Sequence, residues 1–383
     1  MSRPVDTSAD RRSPAAGDGE PVRPTGAAGE WRPPAVTPAE GRLFAWLRAV
    51  VAGREAGLGA LDDEFADLLV RARLEDLAAR YGATHPTLVA RQRDAFVYAT
   101  AVEHAAAACV ARLAAAAVPC VTLKGPALAA RYWPGAARAS VDVDLLVAPR
   151  EFARAREALA EEGLTARHET MPEWYARRWF YSLPLTSDRP WPTVDLHWAV
   201  LRPGIGRLDA AELIGAGEEV AVGDRRLPAP SPPWELVVCA AHAAHEVFPL
   251  RALLDVAFVG RALSPDEWRG AADVAARAGL GPTLAYAAWQ SGRRLGWRPA
   301  AAATALQPRG RRDRLARRYL DALPAVGPPS RATLQVQHVM TPLLSCSGAG
   351  CIRALPAAML TDRAGSALVL DRLARRVSPR RRP

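Results

Sequence analysis

The apolar periodicity of this chain changes character at Pro119, and that change limits what the chain can fold into. Before it the spacing is helical. Leu43, Trp46, Leu47 and Val50 recur on one face, and so do Phe65, Leu68, Leu69 and Ala72. A long helix is predicted over about residues 86–117, with Leu88, Val89, Phe96 and Val97 among its buried positions. After Pro119 short β-prone runs take over: Cys120–Leu123, Val141–Val147, Trp179–Leu185 and Thr193–Trp198, then a hairpin turning at Gly223-Asp224. Beyond the Pro-rich break Leu227–Pro233 helices return, over Trp234–Glu246, Leu250–Ala262, Asp266–Ala278 and Thr283–Leu295. The expected class is α+β, with a small sheet between two helical units. The expected division is a disordered segment 1–36, a helical region 37–118, an α/β core 119–230, a helical domain 231–310 and a basic region 311–383.

The candidate chemistry sits in the α/β stretch. Cys120-Val-Thr-Leu123 runs into Lys124-Gly125-Pro126 and then an Ala-rich segment expected to stop at Trp133-Pro134-Gly135. Gly followed by Pro suits a strand-to-helix turn, because Pro tolerates the first helical position, where its missing N–H would be unpaired. Backbone N–H groups at such a turn can hold phosphate oxygens. In Val141-Asp-Val-Asp-Leu-Leu-Val147 the odd positions share one strand face, while Asp142 and Asp144 share the other. Two carboxylates so placed repel unless a cation lies between them. A pair of magnesium ions with oxygen ligands answers that need and suits phosphoryl or nucleotidyl transfer. The alternative is a solvated edge-strand face. Thr193-Val-Asp-Leu-His-Trp198 alternates in the same way and sets Asp195 and His197 on one face. Asp195 becomes a third carboxylate of the site if the two strands are neighbours.

Lys124 is the sole lysine, and the other 49 basic residues are arginine. A compact ammonium on a flexible stem is not equivalent to a guanidinium. Its survival beside the turn reads as a steric or chemical requirement, the alternative being chance survival of one lysine.

Leu123-Lys-Gly-Pro-Ala-Leu128, Tyr132-Trp-Pro134, Arg138, Asp142-Val-Asp-Leu-Leu-Val147 and Val194-Asp-Leu-His-Trp198 together resemble a poorly characterised nucleotidyltransferase family of the DNA polymerase β-like superfamily. The resemblance covers about residues 40–300. It implies a small mixed β-sheet nucleotidyltransferase core flanked by N- and C-terminal helical units. It implies Asp142, Asp144 and Asp195 as metal ligands and catalytic carboxylates for two Mg2+ ions, with a nucleoside triphosphate (NTP) as substrate. Gly125 would lie in the phosphate loop, and Lys124 and Arg138 would contact the triphosphate. Apart from the resemblance, His197 lies two residues from Asp195, a spacing that suits contact with nucleotide or orientation of a carboxylate, the alternative being a hydrogen-bonded interface histidine. Many enzymes of the superfamily carry Gly-Ser in this turn, whereas Pro126 follows Gly125 here. The expected activity is transfer of a nucleoside monophosphate to an unknown hydroxyl acceptor, on a small molecule, peptide or protein. The alternative is a non-catalytic accessory protein that keeps the fold and binds a nucleotide or a partner.

The net charge of +10 has a local origin, because residues 301–383 hold 15 arginines against four aspartates and the rest is nearly neutral. That tail could attract nucleic acid, such as a 3′ end, or be a solvated terminus, which is the preferred reading. The five cysteines are scattered and read as free thiols. His242, His245 and Glu246 share a helix side but lack a full zinc spacing, so packing and hydrogen bonding against the sheet is expected. Trp174, Tyr175, Trp179, Phe180 and Tyr181, with Arg177 and Arg178, suit core packing or base stacking. The sequence has no apolar run long enough for a membrane span and no signal-like core at its start, so a cytoplasmic protein is expected.

Overall fold

The structure, a computed structural model, describes residues 36–166, 180–201, 205–324 and 326. The expected disorder of the first residues, most of the aromatic cluster, Cys346, Cys351 and the end of the basic tail lie outside the described residues. The first helices are α1 (Pro38–Val51), α2 (Asp63–Ala72), α3 (Glu75–Arg80) and α4 (Pro86–Ala115). Thr37 and Glu40 form a reciprocal cap at the start of α1, and Asp62 accepts from the Phe65 N–H to start α2.

Strand β1 (Cys120–Leu123) leads into helix α5 (Gly125–Tyr132), followed by β2 (Asp142–Val147) and α6 (Phe152–Ala160). Next come β3 (Thr165–Ala166), β4 (Ser182–Thr186) and β5 (Thr193–His197). The five strands form one mixed sheet in the order β1-β2-β5-β4-β3. Strands β2 and β5 are parallel, and the other pairings are antiparallel. This is the expected α+β class. After α7 (Ala210–Gly215), β6 (Glu218–Val222) and β7 (Arg225–Ala229) make the expected hairpin as a separate two-stranded sheet. Thr122 Oγ1 donates to the Pro228 carbonyl at 2.8 Å and ties the hairpin to β1. Leu227, read from the sequence as part of a break, is a buried strand residue.

The chain then returns to helices: α8 (Pro232–His245), α9 (Leu250–Ala262), α10 (Pro265–Arg277) and α11 (Gly281–Leu295). Two more follow, α12 (Ala301–Ala305) and α13 (Arg311–Ala322). None of the described helices is long and apolar enough to cross a membrane.

Two apolar clusters explain the sheet's two faces. Val143, Leu145 and Val147 of β2, with Val194 and Leu196 of β5, pack with Phe152, Ala155 and Leu159 of α6 and with Val102–Leu113 of α4. Leu146 points the other way, into a larger cluster built from α1, α2 and the C-terminal helices. Strand alternation therefore puts Asp142 and Asp144 on the same side as Leu146, towards that helical cluster.

Helix α4 corrects one expectation. Leu88 is buried, but Val89, Phe96 and Val97 are 44%, 73% and 68% exposed. The cause is the helix's length of 30 residues. Leu88 belongs to the larger cluster, whereas the buried residues from Val102 onward belong to the sheet cluster. The middle of the helix spans the gap between them, and its apolar residues meet solvent.

Candidate active site

The turn after β1 is bent in a costly way. Lys124 has φ 56° and ψ −131°, and Gly125 follows with φ 55°. Two successive positive φ values, the first on a residue with a Cβ, are a local strain that must be held by its surroundings. Lys124 is held by its side chain. Its Nζ lies 3.2 Å from Asp144 Oδ2 and donates to His242 Nδ1 at 3.2 Å. An ammonium has no acceptor capacity, so Nδ1 of His242 accepts. His242 Nε2 then carries the proton and faces Glu246 Oε2 at 3.2 Å. The expected packing of His242 and Glu246 against the sheet is thus a specific relay to Lys124.

The register places the carboxylates. Asp144 of β2 stands directly beside Asp195 of β5, and Asp142 beside Thr193. His197 Nε2 donates to Asp144 Oδ1 at 2.9 Å. One ligand atom from each of Asp144, Asp195 and His197 lies within 4.8 Å of the others, a group that could hold a metal ion. Asp142 is outside that group of three but lines the same cavities. His197 Nδ1 is buried with no hydrogen-bond partner among the described residues.

Electrostatics separates the three acids. Burial works to raise the Asp144 carboxyl, but Lys124 and the His197 hydrogen bond outweigh it and hold it well below the usual range. Burial raises Asp142, and the neighbouring Asp144 charge adds to this. Burial pushes Asp195 up to about 6, where the pull of His197 is opposed by the charges of Asp144 and Asp142. Burial disfavours the charged form of Lys124, yet Asp144 and Glu246 keep its pKa above the ordinary lysine value.

Two cavities meet at these residues. The larger, about 460 Å³, is lined by Lys124, Gly125, Arg138, Asp142 and Asp144, with residues from α2 and α9. The smaller, about 190 Å³, is lined by Asp195 and His197, and also by Lys124, Asp142 and Asp144. The seven residues singled out in the sequence therefore converge. Arg138 does so in an unexpected manner. Its Nε and Nη2 donate to the two Asp255 oxygens at 2.8 Å each, and Nη1 donates to Ser140 Oγ at 3.2 Å. Trp133 Nε1 adds a bond to Asp255 at 2.9 Å. The guanidinium is thereby committed to the protein.

Sequence reasoning missed Arg71, Arg73, Ser140 and Arg251 in the larger cavity, and the place of Tyr181 in the smaller one. Tyr181 packs on the His197 ring at a centroid distance of 5.4 Å, and its hydroxyl is 3.3 Å from His245 Nε2. No signal marked these arginines among 49.

A comparison with curated protein sequences finds no match. Among solved structures, the antibiotic-resistance factor ANT(2'')-Ia matches at 14% identity over 48% of this chain and 94% of its own, with a TM-score of 0.33. The family model described as uncharacterised nucleotidyltransferase matches residues 66–296, more than half of the chain, spanning the sheet, the carboxylates and the helices packed on them. The chain belongs to this nucleotidyltransferase family.

Proposed function

We propose that the protein transfers a nucleoside monophosphate from an NTP to a hydroxyl acceptor at Asp142, Asp144 and Asp195. The observation that carries this reading is the parallel register of Asp144 and Asp195, which sets a third carboxylate beside the Asp-x-Asp strand. The donor set fits a hard divalent cation such as Mg2+, because it offers carboxylate oxygens on one sheet face. Burial first, and the neighbouring carboxylate charges second, raise Asp142 and Asp195, and a cation beside them would favour their charged forms. Metal bound there would supply positive charge for the pyrophosphate leaving group and the attacking oxygen.

The protein's own groups have separate parts. Asp195 lines only the smaller cavity, which suits it to accept the acceptor's hydroxyl proton. The acceptor oxygen then bonds to the α-phosphorus as its bond to the pyrophosphate oxygen breaks. His197 fixes the Asp144 carboxylate through its Nε2 hydrogen bond. Lys124 neutralises Asp144 until substrate arrives, and the Gly125 turn offers backbone N–H groups to phosphate. Arg138 positions Ser140 and the approach to β2 through Asp255. In the same reading residues 119–230 are the catalytic core, and the helical regions on either side shape the acceptor pocket.

The test is pyrophosphate release from each of the four common NTPs with magnesium, over a panel of hydroxyl-bearing acceptors. Release that needs both magnesium and an acceptor, and that is lost in Asp195→Asn, supports the reading. One observation favours a second reading, a nucleotide-binding accessory protein: both Asp144 oxygens are already engaged, by Lys124 and His197. Nucleotide binding with no release over the whole panel would select it.

A further inference from the structure

The residues expected to meet a triphosphate are engaged elsewhere. Lys124 Nζ is shared by Asp144 and His242, and Arg138 is taken up by Asp255 and Ser140. The larger cavity nevertheless carries an excess of positive charge. Arg71 and Arg73, at the end of α2, line it, and so does Arg251 at the start of α9. All three lie outside the sheet. Arg71 is half-exposed and pairs with Asp67 at 3.0 Å. Arg73 is exposed and makes no ion pair among the described residues, and its backbone sits in the left-handed region at φ 55°. Arg251 is partly buried and donates to the Ala139 carbonyl, with no carboxylate within ion-pair distance among the described residues.

These cations crowd one another. Burial and the neighbouring Arg138 bring Arg251 down to about 10, with Arg73 contributing in the same direction and Asp255 and Glu246 opposing. Of the four carboxylates that line the cavity, Asp255 is committed to Arg138, Asp144 to Lys124 and Glu246 to His242, while Asp142 stands on β2. The side of this concave surface that carries Arg71, Arg73 and Arg251 is therefore arranged for an anion. Ser140 Oγ adds a hydroxyl to this cavity, 4.0 Å from where a Cβ on Gly125 would stand. It accepts from Arg138, so its own proton is free to be donated.

We propose that Arg73, Arg251 and Ser140, with Arg71 at the rim, form the face that binds the polyphosphate of the nucleotide. This leaves the smaller cavity, where Asp195 stands, to the acceptor. The inference rests on the nucleotidyl-transfer reading for the identity of the anion, but the arginine face itself stands on the cavity's geometry and charge. A cavity of about 460 Å³ accommodates a nucleotide, whereas the 190 Å³ chamber admits only a narrow hydroxyl-bearing arm.

The experiment is calorimetric titration of the full chain with inorganic tripolyphosphate in magnesium buffer. It compares wild type with Arg73→Gln, the Arg71→Gln/Arg73→Gln pair, Arg251→Gln and the control Arg150→Gln. Each lost charge-assisted contact should weaken binding by about tenfold or more. Arg150 lines neither cavity, so its variant should bind as wild type does. Arg73 is exposed, so its variant remains informative if Arg251→Gln fails to fold. Unchanged affinity in the Arg71/Arg73 pair, or no binding by wild type, overturns the inference. So does an Arg73-dependent preference for a short oligonucleotide over tripolyphosphate, which would make the face a nucleic-acid surface. Tripolyphosphate binding through these arginines without any nucleotidyl transfer keeps the inference and removes the proposed reaction. Transfer with undiminished nucleotide affinity in the double variant does the reverse.

Discussion

Asp144 and Asp195 occupy the same register position on neighbouring parallel strands, with the Lys124 ammonium 3.2 Å from Asp144. The ammonium therefore stands where a cation is most needed in the metal-free protein. Lys124 and Asp144 have side chains only 16% and 11% exposed, so removing one leaves the other poorly solvated. Lys124→Met should cost roughly 2–4 kcal/mol in urea unfolding without metal. Added magnesium should then stabilise the variant more than wild type, because the metal takes over the missing charge. Equal magnesium responses in the two proteins would show that Lys124 is not balancing this carboxylate.

Arg138 and Asp255 form the most buried ion pair of the described residues, with side chains 4% and 1% exposed. Asp255→Ala would strand a buried guanidinium and also remove the acceptor of the Trp133 indole N–H. The expected cost is about 3–5 kcal/mol in chemical denaturation. A change below about 1 kcal/mol, the range of an exposed pair, would contradict the positioning role given to Arg138.

Much of this arrangement was legible in the sequence because it rests on alternation. The change of period at Pro119, the shared face of Asp142 and Asp144, and the shared face of Asp195 and His197 all follow from a two-residue repeat. The pairing of β2 with β5 did not follow, because parallel neighbours are set by the crossover and leave no local mark. Three apolar residues of α4, Val89, Phe96 and Val97, were misread as buried. They have a buried residue's chemistry, yet they sit where α4 passes between two cores. The pairing of Arg138 with Asp255 left no local mark either, because the two are 117 residues apart. Arg71, Arg73 and Arg251 were hidden by the abundance of arginine itself.

Glu235 gives the fold a pH dependence separate from the carboxylates of the site. It is buried on α8, its Oε1 has no hydrogen-bond partner among the described residues, and burial pushes it up to about 8 despite Arg131. Below its ordinary value of 4.5 both folded and unfolded chains hold the proton. Between there and about pH 8 the folded chain alone holds it, so this group's contribution to stability falls as pH rises. The loss should be on the order of 3–5 kcal/mol by pH 8, and Glu235→Gln should remove it. Parallel pH profiles of wild type and variant in urea unfolding would rule this out.

Helix α4 separates two apolar positions that look alike in sequence. Leu88 is fully buried, whereas Phe96 is mostly exposed. Leu88→Ala should cost about 2–5 kcal/mol through the cavity it leaves. Phe96→Ser should stay within about 0.5 kcal/mol. Thermal and urea unfolding of the two variants check the pair, and a large loss in Phe96→Ser would mean that this face is covered.

The most direct measurement is magnesium-dependent pyrophosphate release by Asp144→Asn beside wild type, with circular dichroism confirming the fold. The asparagine keeps an acceptor for His197 but loses the charge that a divalent cation requires. The account predicts release by wild type and a loss of more than about a hundredfold in the folded variant. Equal release by the two proteins would contradict it.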